Sequence, residues 1–317
     1  MIRYLINIIL YLIFFTTSQL LFSQNKVPFY NLKNTYWVDS LYKNLTLKDK
    51  VGQLFMIRVN PNWNEQQIQN TIALIKKYNI GGIVLFKGDI EKTAELINRL
   101  QEAAKIPLLI AIDGETGLGM RLNNSISFPY QMTLGSIKND SLIYLMAKEI
   151  GRQLKRIGIH INFAPVADIN SNYQNPIIGM RSFGQSKNDV AKKCVMYASG
   201  LQECNIIAVA KHFPGHGNTN VDSHHDLPVI TSNFEQLDSI ELIPFKTLIQ
   251  YGITGIMNAH LAIPAIDTSN SLPSSLSYNN VTKLLKQKLN YQGLIFTDGL
   301  DMKGVTKFFK NGKAELQ

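Results

Sequence analysis

The chain has 317 residues, 45% hydrophobic and 17% charged, an ordinary globular composition with enough chain for one large domain or two small ones. Its formal charge of +9 and pI near 9.3 suit an anionic partner such as nucleic acid or a cell-envelope polymer. The basic residues are scattered, however, with no run longer than two. There is no basic helix and no aromatic–basic platform, which describes a solvated basic surface and argues against a nucleic-acid site.

The chain opens on MIRYLINIILYLIFFTTSQLLFSQ. One basic residue, Arg3, precedes an apolar core from Tyr4 to Phe15, and small polar residues follow at Thr16, Thr17, Ser18 and Ser23. This pattern predicts a signal peptide over 1–23, hence an exported, periplasmic or extracellular protein. The core is short for a membrane span, so no stable span is expected after cleavage; an uncleaved anchor is the alternative. Cys194 and Cys204 are the two cysteines. They lie ten apart across a helical pattern, too far along a helix for a disulfide, and read as two buried thiols.

Thr46-x-x-Asp49 predicts a helix start, and the apolar run 54–59 is the first strand candidate. A helical pattern over 64–79 ends at Gly81-Gly82, which are expected to stop it before a strand at 82–86. The alternation repeats: helix 89–104 and strand 108–112; helix 139–157 and strand 159–164; helix 187–204 and strand 206–210. Helix 234–250 then precedes strand 253–257, and helix 278–289 precedes strand 293–297. The strands are continuous apolar runs, as expected of a parallel sheet covered on both faces. Asp113, Asp168, Lys211-His212, Asn258–His260 and Asp298 each follow the carboxyl end of a strand. Polar groups delivered at one end by many strands point to a barrel, since an open sheet gathers its site at one switch point. The expectation is a (β/α)8 TIM-type barrel domain over 24–317, lacking its last strand and helix because seven strands are found.

The segment KHFPGHGNTNVDSHHDLPVI, residues 211–230, holds four of the six histidines. His212 and His216 stand four apart, as in a metal-binding helix, but Pro214 and Gly215 lie between them and no H-E-x-x-H occurs, so no metal site is expected. Neither a G-x-S-x-G motif nor a strand-end cysteine supports serine or cysteine catalysis. Asp222-Ser223-His224 can hold one imidazole nitrogen while the other faces a substrate as a proton shuttle; the other reading is polar loop decoration. Asp298, in LIFTDG, can attack a sugar's anomeric carbon, ligate a cation, or simply cap a helix.

Together KHFPGHGNTNVDSHHDLP, FTDGLDMKGV, AIDGETGLGMRL and GMRSFG resemble glycoside hydrolase family 3, in its β-N-acetylglucosaminidase branch, from about Leu45 to Val305. The resemblance implies a retaining β-N-acetylhexosaminidase on a βα barrel, acting on terminal N-acetylglucosamine of peptidoglycan-type glycans without a cofactor. Asp298 matches the nucleophile, His224 the general acid/base and Asp222 its dyad partner. Asp113, Arg121, Arg181, Lys211 and His212 match substrate-binding positions, and Asp168 is a looser match. Gly114 and Thr116 depart from the family's usual pattern. Some exported relatives continue into a C-terminal β-lactamase-like domain, and this chain is expected to be the front part of such a protein. The alternatives within this frame are another sugar specificity, a phosphorylase, or a sugar-binding fragment. Gly215 and Gly217 are expected to let the dyad loop swing over bound sugar. No feature of the sequence sets the oligomeric state.

Overall fold

The structure is a computed structural model that describes residues 35–219, 226–269 and 272–307. The expected signal peptide, with its cleavage zone, lies outside the described residues. Among those described, no helix is long and apolar enough to cross a membrane.

Local sequence signals set the helix ends. After α1 (Tyr36–Asn44), Thr46 and Asp49 form a capping box that opens α2 (Leu47–Gly52). The chain leaves α2 through Leu54 and Phe55, both exposed, so β1 is shorter than the apolar run, Met56–Val59. Asn64 and Gln67 form a second box at the start of α3 (Glu65–Tyr78). Asn79, not the glycine pair, ends this helix, in the left-handed conformation with φ 49°. Gly81 and Gly82 serve close approach instead. A Cβ on Gly81 would lie 2.1 Å from Gln53 O, and one on Gly82 would lie 2.4 Å from Leu109 O.

The alternation then runs as expected, through β2 (Gly82–Leu85), α4 (Ile90–Ala103), β3 (Leu109–Ile112), α5 (Ser141–Arg156), β4 (Ile161–Asn162) and α6 (Lys187–Glu203). It continues with β5 (Ile207–Phe213), α7 (Leu242–Tyr251), β6 (Gly255–Asn258), α8 (Asn279–Lys288) and β7 (Leu294–Thr297). The single helix expected over 234–250 is broken by a wide π turn at Leu237–Glu241, and α8 is π-wound. The seven strands pair parallel in chain order, β1 through β7. This curled parallel sheet wrapped by helices is the architecture of a TIM-type α/β barrel.

Strand alternation divides the core in two. One set of side chains packs between sheet and helices, for example Ile83, Ile110, Ile112, Ala208 and Ile256. The alternate set, Ala111, Ile161, Phe163, Val209 and Met257 with Met56, Val84 and Phe296, fills the inside of the curl. Position parity therefore carries Asp113, Lys211 and Asp298 onto the inward side, one step beyond Ala111, Val209 and Phe296 at the carboxyl ends of their strands. Cys194 and Cys204 form no disulfide; Cys194 is buried, as expected, but Cys204 is only half-buried, its sulfur against Lys148 O (3.2 Å).

Candidate active site

A compact charge cluster occupies the inward ends of β3 and β5. Lys211 is 2% exposed, and its Nζ donates to Asp113 Oδ1 (2.8 Å) and Glu115 Oε1 (2.7 Å). Arg181 grips Glu115 with two bonds, Nε to Oε2 (3.0 Å) and Nη2 to Oε1 (2.7 Å). Arg121 Nη2 donates to Asp113 Oδ2 (2.9 Å), and its guanidinium lies 5.4 Å from the centre of the Phe86 ring. Three cations thus share two carboxylates.

The charges are mutually sustaining. Burial pushes the Asp113 and Glu115 carboxyls up, but Lys211, with Arg121 on the first and Arg181 on the second, outweighs it and holds both below the usual carboxylate range. Burial likewise pulls Lys211 down, and Asp113 and Glu115 reverse it, so the amine stays a cation. Breaking such a buried pair by removing one partner costs roughly 3–5 kcal/mol.

The loops that carry these groups are tied from outside the sheet. Asn162 of β4 holds Gly114 at both backbone groups, accepting from its N–H (2.9 Å) and donating to its O (3.1 Å). Tyr197 of α6 donates its hydroxyl toward the carbonyls of Gly114 (3.1 Å) and Glu115 (2.9 Å). Gln131 joins the backbones of Val166 and Arg181, donating to both carbonyls.

Asp168 organises the histidine-rich segment. It is fully buried, and its Oδ2 meets His212 Nδ1 at 2.6 Å and accepts from His212 N–H (3.1 Å). Its Oδ1 accepts from His216 N–H (2.7 Å). With Nδ1 turned to Asp168, His212 Nε2 faces Arg181 Nη2 at 3.4 Å, so His212 joins the cluster through its other edge. The Lys211–His212 and Phe213–Pro214 peptides are cis. His216 Nδ1 meets Thr219 Oγ1 at 2.8 Å.

Gly215 and Gly217 differ from the expected hinge. A Cβ on Gly217 would stand 1.6 Å from Ile169 O, and one on Gly215, at φ 136°, would meet Glu241 Cβ at 2.8 Å. Asn175 binds the carbonyls of His216 (2.8 Å) and Gly217 (3.1 Å) from the preceding loop. The glycines let this segment lie flat against its neighbours, and the base of the loop is anchored. Asp222 and His224 lie outside the described residues.

Asp298 follows β7, half-buried, with its N–H on Asn258 O (3.0 Å) and its Oδ1 accepting from Gly299 N–H (2.7 Å). Asp301, three residues on, instead pairs with Arg58 of β1 (2.6 Å), both side chains more than half exposed. The structure therefore brings Asp113, Arg121, Arg181, Lys211 and His212 together and sets Asp298 on the same inward side. Sequence reasoning passed over Glu115, whose signal was the D-x-E spacing after β3, and Ser275, which carried no motif of its own; it placed His260 at a strand end but gave it no role.

The strand ends thus present a buried cluster of three cations and two carboxylates and, after β7, a separate carboxylate on the same inward side. The family follows from comparison: residues 46–316 match the model of the glycosyl hydrolase family 3 N-terminal domain, and the chain belongs to this family. A beta-hexosaminidase A of Pseudoalteromonas piscicida is 37% identical over 267 residues, covering 77% of this chain and 45% of the relative. A beta-hexosaminidase of Nitrosomonas eutropha is 34% identical over 239 residues, covering 72% of this chain and 68% of its own. The solved family 3 beta-N-acetylglucosaminidase of Paenibacillus sp. FPU-7 superposes with a TM-score of 0.80 at 39% identity, over 86% of this chain and 52% of that one. The chain thus spans about half the length of the Pseudoalteromonas and Paenibacillus proteins.

Proposed function

We propose that this protein is an exported, retaining β-N-acetylhexosaminidase that removes terminal N-acetylglucosamine from peptidoglycan-type glycans. The observation that carries this reading is the pairing of Asp298, inward at the end of β7, with the donor cluster of Lys211, Arg121 and Arg181 at the same end of the barrel. The names of the relatives support the substrate class.

In the proposed reaction the Asp298 carboxylate attacks C1 of the sugar. The bond from C1 to the aglycone oxygen breaks, and that oxygen takes a proton from His224, which Asp222 orients. Water then attacks C1 of the glycosyl ester as the bond from C1 to Asp298 breaks and restores the carboxylate; the water gives a proton to His224, and the sugar leaves with its β configuration. Arg121, Arg181, Lys211 and His212 would donate to hydroxyl and acetamido oxygens, and Asp113 would accept from a sugar hydroxyl.

Turnover of p-nitrophenyl N-acetyl-β-glucosaminide tests the reading. Asp298→Ala should abolish it while N-acetylglucosamine still binds. His224→Ala should accumulate the ester on Asp298 and, with azide added, release β-glycosyl azide. Turnover surviving in Asp298→Ala, or a sugar 1-phosphate as the main product when phosphate is present, would remove the hydrolase assignment.

A further inference from the structure

Behind the nucleophile turn lies a buried polar cluster that the reaction as written does not use. His260, 1% exposed, follows β6. Its Nε2 lies 3.0 Å from Gly299 O, and its Nδ1 lies 2.7 Å from Ser275 Oγ. Ser275 sits in a turn fastened to the same segment, since Ser274 Oγ donates to Ala259 O (2.7 Å) and Ser274 N–H donates to Leu261 O (2.8 Å).

The chemistry of these partners determines the ring's hydrogens. A carbonyl oxygen only accepts, so the Nε2 contact requires hydrogen on Nε2. Burial pushes His260 below its ordinary value, and the nearby Asp298 charge opposes this without cancelling it, so the ring is neutral. Nδ1 is then an acceptor, and Ser275 is its donor.

We propose that His260, oriented by Ser275, is a positioning residue that sets the rotamer of the Asp298 nucleophile through the Gly299 peptide. The path is short. His260 holds the Gly299 carbonyl, and Gly299 N–H holds Asp298 Oδ1 at 2.7 Å. Asp298 Oδ2 takes no hydrogen bond among the described residues, so one oxygen is fixed and the other is left to attack. Asn258 O fixes Asp298 N–H (3.0 Å), so the turn is gripped on either side of the side chain by residues at the end of β6. A neutral donor is suited to this place: a cation would pair with Asp298 and weaken it as a nucleophile, whereas Nε2–H is spent on the carbonyl. The inference rests on the glycosidase reading above.

Its test uses the full chain with His260→Leu, His260→Gln and Ser275→Ala. Displacing a reacting group by about 1 Å costs on the order of 10²-fold, so His260→Leu should lower kcat by roughly 10- to 100-fold. The N-acetylglucosamine Kd should change less than about threefold. His260→Gln, which restores an N–H donor, should recover most of the rate, and Ser275→Ala should show a smaller loss. In the parent protein, ¹⁵N shifts of the His260 ring should show hydrogen on Nε2 alone. A His260→Leu rate within about twofold of the parent, an equal loss in sugar binding, or hydrogen on Nδ1 overturns the proposal. If His260→Leu does not fold, the Ser275→Ala rate and the ring tautomer decide in the same way. Turnover in Asp298→Ala would instead defeat the glycosidase reading; an inactive Asp298→Ala beside a fully active His260→Leu defeats this inference alone.

Discussion

Glu241 offers a measurement of how the base of the histidine-rich loop is held. It lies at the end of the π turn, 6% exposed, beneath Gly215. Oε1 receives a long hydrogen bond from Ser171 (3.3 Å), and Oε2 is buried without a partner among the described residues. Burial pushes its carboxyl from 4.5 up to about 7; the Ser171 bond opposes this weakly, and the Asp168 charge adds to it. Between these values the unfolded chain releases a proton that the folded protein keeps. The unfolded state binds fewer protons there, so stability falls as pH rises. The contribution is fully present below 4.5 and lost as pH passes about 7, in all about 3 kcal/mol. Glu241→Gln removes the titration. Urea unfolding of parent and variant at pH 5 and pH 8 should show the variant gaining roughly 2 to 3 kcal/mol relative to the parent across that interval. The double difference matters because the Gln amide changes the local hydrogen bonds equally at both pH values. A double difference below about 0.5 kcal/mol would refute the buried-carboxyl account.

Glu115→Gln leaves Lys211 and Arg181 short of a counter-charge in a buried place. It should destabilise the fold by roughly 3–5 kcal/mol, read by urea unfolding, and raise KM more than it lowers kcat. Gly217→Ala forces a methyl group onto the Ile169 carbonyl, so a melting temperature within a degree or two of the parent would contradict the anchored-loop description. Asp301→Ala removes only an exposed pair with Arg58, and should cost under about 1 kcal/mol and leave most of the turnover that Asp298→Ala destroys.

The barrel was legible because its signals are local. Continuous apolar runs located every strand of the sheet within a few residues, since strands buried on both faces cannot alternate. Element boundaries were less legible where packing outbid local preference. The Gly81-Gly82 pair reads as a helix stop, but the helix had already ended at Asn79, and the glycines are required by backbones crossing above and below them. Gly215 and Gly217 mislead in the same way. Glycine in a sequence signals either freedom or crowding, and only the neighbours, here Ile169 and Glu241, decide which.

The site divides along a similar line. Position parity and strand ends are enough to gather Asp113, Lys211 and Asp298, because an inward residue near or just past the carboxyl end of a strand has nowhere else to point. Glu115, His260 and Ser275 act through groups 15 to 96 residues away in the chain, beyond the reach of any spacing argument. Yet they explain how the site works before a ligand arrives. Asp113 and Glu115 carry two negative charges against the three positive charges of Arg121, Arg181 and Lys211, so the cluster keeps one net positive charge. Two carboxylates stabilise cations that water would otherwise solvate, and the donors are held in place in advance. On the proposed reading, a sugar entering such a site exchanges its water for donors that need little reorganisation.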